Sequence, residues 1–204
     1  MMDIDSVMGL APVIPVLMVD DIAHARPLAE ALVAGGLPVL EVTLRTPVAL
    51  DVITEMAKVP GAIVGAGTVI SSGDLAAALV AGARFVVSPG ITAALGSAAR
   101  TSGVPFLPGV SSASDIIRAQ EMGFSRLKFF PAVAAGGLPM LRALTAPFRN
   151  VRFCPTGGIT LESAPEWLAD PAVACVGGSW IAKRGETDWA AIEARARAAA
   201  ALRG

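Results

Sequence analysis

Short apolar runs alternate with longer stretches whose apolar residues recur every three to four positions, and the alternation continues along the whole chain. Runs at 13–19, 39–43, 63–68, 85–88, 106–109, 127–130, 151–156 and 174–178 predict strands. Helical spacing over 22–34, 48–58, 75–81, 93–101, 113–122, 138–144, 161–169 and 189–202 predicts a helix after each strand, and residues 3–8 a short extra one. Side-chain oxygens of Asp20 or Asp21, Ser71 or Ser72, Thr92, Ser112 and Thr160 are placed to cap first turns. Pro47 suits a first helical position. Gly35, Gly82, Gly103 and Gly123 follow helical stretches where a left-handed stop is wanted.

A strand–helix unit repeated eightfold, about 25 residues at a time, is the rhythm of an α/β fold of the (β/α)8 TIM-barrel type. The expectation is a single barrel domain over residues 1–204, with the short amino-terminal helix capping its bottom. A doubly wound open sheet is the alternative; it holds fewer strands and one crevice.

Composition narrows the function classes. Hydrophobic residues make up 54% of the 204 and charged residues 16%, which excludes a disordered chain. Sixteen basic against 17 acidic residues, with no basic block, argue against nucleic acid or an anionic membrane as partner. Every long apolar stretch is interrupted by a charge, a proline or glycines before the ~18 residues of a membrane span. The start, with aspartates where a secretory signal carries positive charge, reads as cytoplasmic. Cys154 and Cys175 lie in apolar runs and predict core packing. His24 is the only histidine, so neither a histidine triad nor a transition-metal site is in prospect, and no metal or other cofactor is expected.

Chemistry must then come from polar residues at the carboxyl ends of the strands, where barrels of this type keep their sites. Lys128, one of three lysines beside thirteen arginines, falls inside an apolar strand. With period two, Lys128 and Phe130 share one face and Leu127 and Phe129 the other, so the apolar pair packs on helices and the ammonium turns into the barrel mouth. In the second strand Val39, Glu41 and Thr43 share the inward face. An ammonium is costly to bury unless paired. Lys128 and Glu41 are placed to meet through a substrate or a water as a proton-exchanging couple; a structural salt bridge is the alternative. Thr156, Gly157 and Gly158 after the seventh strand, and Gly177, Gly178 and Ser179 after the eighth, offer amides and hydroxyls where barrels commonly bind phosphate. Tight turns are the plainer reading of both glycine pairs. Arg45 adds an anion partner for a carboxylate or the phosphate.

The segments LEVTLRT, VGAGTV, VSPG, LKFFPA, RFCPTGGI and VGGSW resemble, in matching order across nearly the whole chain, the signature stretches of the 2-keto-3-deoxy-6-phosphogluconate (KDPG) and 4-hydroxy-2-oxoglutarate (KHG) aldolase family. The resemblance implies a metal-independent class I aldolase, a lyase, on a homotrimeric barrel in Entner-Doudoroff carbohydrate breakdown. It implies that Lys128 forms the Schiff base, Glu41 shuttles protons, and Arg45 with Thr68 holds the pyruvyl carboxylate. Thr156, Gly157, Gly158, Gly178 and Ser179 would contact the phosphate and hydroxyl end, and Phe130 and Pro89 would shape the pocket. A related galactonate-type group carries valine in place of Thr156, so the threonine favours the gluconate substrate.

The expected reaction is cleavage of KDPG to pyruvate and glyceraldehyde 3-phosphate. Cleavage of 4-hydroxy-2-oxoglutarate to pyruvate and glyoxylate is an alternative within the lyases. A phosphosugar isomerase or epimerase using Glu41 as base, and a noncatalytic phospholigand-binding barrel, are alternatives outside them.

Overall fold

The computed structural model describes residues 2–202. Among them nine strands, all paired in parallel, alternate with nine α-helices, except that the fifth strand runs directly into the sixth. The strands are β1 (Val13–Leu17), β2 (Val39–Thr43), β3 (Ile63–Gly67), β4 (Phe85–Val87), β5 (Phe106–Leu107), β6 (Gly109–Val110), β7 (Arg126–Phe129), β8 (Arg152–Pro155) and β9 (Val176–Gly178). The helices are α1 (Ile4–Gly9), α2 (Ala25–Ala34), α3 (Ala49–Met56), α4 (Ser72–Val80), α5 (Ala93–Ser102), α6 (Ala113–Glu121), α7 (Gly137–Thr145), α8 (Ala164–Leu168) and α9 (Trp189–Ala200). The architecture is α/β with a curled parallel sheet. One sheet has the order β5-β4-β3-β2-β1-β9 and a second the order β6-β7-β8. Isolated parallel bridges, Phe153 with Val173 and Thr156 with Gly177, join β8 to the stretch ending in β9.

Eight strands were expected, and the ninth has a physical cause. Pairing changes sides within the run 106–109: the Leu107 carbonyl accepts from the Ser88 amide on the β4 side, and Pro108 faces away from it. The Pro108 carbonyl instead accepts from the Lys128 amide on the other side. Gly109 then passes so close to the chain at Pro89 and Gly90 that a Cβ there would lie 2.7 Å from the Gly90 nitrogen.

Two apolar layers follow from the strand alternation. Leu40, Val42, Leu127 and Phe129 point outward to the helices, with the Phe129 ring 6.5 Å from that of Trp167 on α8. Ile14, Val39, Phe85, Val87, Leu107, Cys154 and Cys175 form a separate inner cluster. Val7 and Met8 of α1 belong to it, each 1% exposed. Because Val39 and Phe85 begin their strands, α1 closes the amino end, as expected. Polar inner-face residues are thereby left to the carboxyl end. Both cysteines are buried in this inner apolar cluster, in keeping with core packing.

Capping explains most helix starts. Asp21 accepts from the Ala23 amide at a 3-10 turn (Ile22–His24) ahead of α2, and Ser71, Thr92 and Ser112 accept from Asp74, Leu95 and Asp115. Asp188, absent from the expected caps, accepts from Ala191. Three expectations need correction. Pro47 lies in a turn two residues before α3. Thr160 accepts from the Ser163 amide in a turn, and α8 begins only at Ala164. Gly35 is right-handed, and Gly36 takes the positive φ; Gly35 is instead required by close packing, since a Cβ there would lie 2.8 Å from the Glu193 carbonyl oxygen of α9. No helix among the described residues is long and apolar enough to cross a membrane.

Candidate active site

Register carries the site. On the inner face of β2, Glu41 lies one step past Val39, beside Val16 of β1 and Gly65 of β3. On β7, Lys128 is flanked by Gly109 and Cys154. Small neighbours at these positions leave the long polar side chains room to reach the centre. Lys128 Nζ donates to Glu41 Oε1 at 3.0 Å, with both side chains almost wholly buried. Contact is direct, where a bridging substrate or water was expected. The Phe130 ring centroid lies 5.3 Å from the same ammonium, which adds a cation–π attraction.

Glycines make the space for this pair. A Cβ on Gly67 would lie 2.7 Å from Glu41 Cγ and 2.8 Å from Cδ. Glu41 therefore rests against bare backbone at the end of β3. A Cβ on Gly177 would likewise meet Thr156 Cγ2 at 2.8 Å. Gly157 and Gly158 turn the chain with φ of 106° and 81°, values that favour glycine.

A cavity of about 120 Å³ opens beside the lysine. It brings together Lys128, Arg45, Phe130, Thr156, Gly157, Gly158 and Ser179 of the expected residues. Glu41 joins them through its bond to Lys128. Thr68, Pro89 and Gly178 do not line it. Thr68 acts at one remove: its Oγ1 accepts from Arg45 Nε at 3.0 Å, and its φ of 60° is unusual for a β-branched residue. Pro89 packs beside Gly109, and Gly178 lies under the Trp180 ring.

Gly177 of the second glycine turn also lines the cavity, and so do Val16 and Ile159, which were not expected. Val16 shares the inner face of β1 with Ile14, but residues 13–19 are apolar throughout, so no alternation marks the inward positions.

Lys128 and Glu41 together carry no net charge, so Arg45 makes the cavity lining positive and suited to anions. A buried amine, a proton acceptor in contact with it, and two glycine turns nearby can form an imine and move protons around it. His24 takes no part; its ring packs edge-on to Trp189 at 5.6 Å. Among the described residues no group of three or more His, Cys, Asp and Glu side chains is placed to hold a metal ion.

Residues 4–195 match the family model "KDPG and KHG aldolase". The 2-keto-3-deoxy-6-phosphogluconate aldolase of Zymomonas mobilis, a solved structure, is 56% identical over 99% of this chain and 98% of that one, with a TM-score of 0.98. The KHG/KDPG aldolase of Escherichia coli is 49% identical over 87% of this chain and 84% of its own length. KDPG aldolase of Legionella pneumophila, solved with pyruvate captured as a covalent carbinolamine, is 46% identical over 98% of both chains, with a TM-score of 0.94. The chain belongs to the KDPG and KHG aldolase family.

Proposed function

We propose that this chain is a class I aldolase cleaving 2-keto-3-deoxy-6-phosphogluconate to pyruvate and glyceraldehyde 3-phosphate, with Lys128 as the Schiff-base residue and Glu41 as its proton carrier. The observation that carries this reading is the buried 3.0 Å contact between Lys128 Nζ and Glu41 Oε1 at the edge of a cavity that Arg45 makes positive.

Only a neutral amine attacks a ketone, and Glu41 is in place to accept the proton that Lys128 gives up. The nitrogen then adds to C2 of the keto acid to give a carbinolamine; Glu41 gives its proton to the departing hydroxyl, so that loss of water leaves a protonated imine and a free Glu41 carboxylate. Arg45, held by Thr68, fixes the carboxylate next to C2. Glu41, now able to act through a water, takes the proton of the C4 hydroxyl. The C3–C4 bond breaks, its electrons pass to the iminium, and the aldehyde leaves. The same acid returns a proton to C3 of the enamine, and hydrolysis frees pyruvate and regenerates the amine. Thr156, Gly157, Gly158 and Ser179 hold the far, phosphorylated end. Binding there orients the reacting bond, so a substrate without phosphate loses rate as well as affinity.

The substrate is supported by the names of relatives similar to this chain along nearly its full length. The double name of the Escherichia coli relative supports a second reading, cleavage of 4-hydroxy-2-oxoglutarate by the same steps. A closed (β/α)8 barrel in a single domain is part of the proposal: β5 and β6 count as one strand broken at Pro108, and the bridges from β8 toward β9 run in the sense that closure requires. Homotrimeric assembly, a cytoplasmic location and a place in Entner-Doudoroff carbohydrate breakdown rest on the family resemblance.

Parallel assays test the reading. Pyruvate and glyceraldehyde 3-phosphate should appear in equal amounts from KDPG, at a specificity constant above that for 4-hydroxy-2-oxoglutarate. Conversion of a phosphosugar to an isomer of equal mass, with no pyruvate released, would overturn it in favour of an isomerase.

A further inference from the structure

The cavity beside Lys128 continues into a second chamber of about 150 Å³, and Val16, Arg45 and Ser179 line both. Lys183 and Arg184, from the loop after β9, line only the second. Arg184 is neutralised there: its Nε and Nη2 each donate to Asp20 at 2.7 Å. Lys183 makes no salt bridge within 4.0 Å to a carboxylate of the described residues.

The loop that presents Lys183 is braced on three sides. Arg184 ties it to Asp20 beyond β1. Glu186 Oε2 accepts from the Lys183 amide at 3.0 Å and from Arg195 Nη2 at 2.6 Å. Arg195 Nε also donates to the Ile181 carbonyl at 2.8 Å. Lys183 thus projects from a fixed backbone, four residues past Ser179. On its other side it borders a recess lined by Asp20, Asp21, His24 and Glu186. Asp20 and Glu186 already hold arginines there, and Asp21 accepts from the Ala23 amide.

The charge of the substrate makes this cation useful. A keto-acid phosphate carries one carboxylate and a phosphate of about −1.5 to −2 at neutral pH. Lys128 and Glu41 cancel, Arg45 answers the carboxylate, and Thr156, the glycine amides and Ser179 are neutral donors. We propose that Lys183 supplies the cation for the substrate's terminal phosphate, and so sets the preference for phosphorylated over unphosphorylated keto acids. This rests on the aldolase reading above and adds a specificity-determining residue to it.

The test compares wild type, Lys183→Ala and Lys183→Arg on KDPG and on 4-hydroxy-2-oxoglutarate, with inorganic phosphate as competitor. The alanine variant should lower the ratio of the two specificity constants by about tenfold to a hundredfold, mostly through KM for KDPG, and weaken inhibition by phosphate. The arginine variant should restore both. An unchanged ratio, or an equal loss on both substrates, overturns the assignment of Lys183. Borohydride trapping of pyruvate by the wild type is run alongside; if it fails, the aldolase reading itself has failed, independently of the ratio.

Discussion

Lys128 Nζ and Glu41 Oε1 meet at 3.0 Å although the two residues lie 87 positions apart in the chain. Both side chains are out of water, and their contact offsets part of the cost of burying them. Under the proposed mechanism a proton passes from nitrogen to oxygen within this pair, and that step creates the nucleophile. Glu41→Gln keeps the shape and a hydrogen-bond acceptor while removing the proton acceptor. Turnover is expected to fall by about 10²–10⁴ with the fold retained. A steady-state assay with circular dichroism on the same sample checks it; activity within tenfold of wild type would reduce the pair to a structural salt bridge.

Gly67 provides the recess for that acid. Gly67→Ala brings a methyl to 2.7 Å from Glu41 Cγ, and the side chain must move. We expect a stability loss of about 1–3 kcal/mol and a fall in turnover comparable to that of Glu41→Gln. Urea unfolding beside kinetics reads both. Full activity in a stable Gly67→Ala protein would mean that the observed position of Glu41 is not the one used in catalysis.

Thr68 separates stability from function. Its left-handed backbone is strained for a β-branched residue, while its hydroxyl holds Arg45. Thr68→Gly removes strain and hydroxyl together, so thermal stability should stay level or rise by up to about 1 kcal/mol. KM should rise by about tenfold. Thr68→Ser should keep the wild-type KM. Equal KM in all three proteins would remove the hydroxyl from the account.

Much of this site is legible in the sequence for a simple reason. A lysine inside an apolar strand has only two faces to choose from, and flanking residues as large as Leu127 and Phe129 decide which. The same alternation marks Glu41 between Val39 and Thr43. In β1 every residue is apolar, and nothing there distinguishes Val16 as a cavity wall. Pro108 reads as part of a strand, because only the neighbouring chain at Pro89 and Gly90 shows why the ladder breaks. Gly35 reads as a helix stop, yet its small size is needed against α9, a contact made across most of the chain. The Thr68–Arg45 bond joins two loops and has no local signature. Local pattern thus carries faces and caps, and it loses what depends on a distant partner.

The capping box of α6 offers a test of the scaffold apart from the site. Ser112 and Asp115 bond reciprocally. Burial pushes the Asp115 carboxyl up, but hydrogen bonds from the Ser112 hydroxyl and the Ser111 and Ser112 amides, with Arg118 nearby, bring it below its ordinary value. A carboxylate lowered on folding adds stability that is complete above its unfolded value and is lost as pH falls through the folded one. Ser112→Ala should cost about 1 kcal/mol at neutral pH. That difference should shrink below pH about 4. Chemical denaturation at several pH values checks the trend, and a difference independent of pH would contradict it.

The most direct measurement is intact mass after borohydride reduction in the presence of pyruvate, with the modified peptide mapped. One reduced pyruvyl adduct per chain, on Lys128 and abolished in Lys128→Ala, is the predicted result. No adduct, or an adduct on Lys58 or Lys183 with Lys128 untouched, would contradict the account.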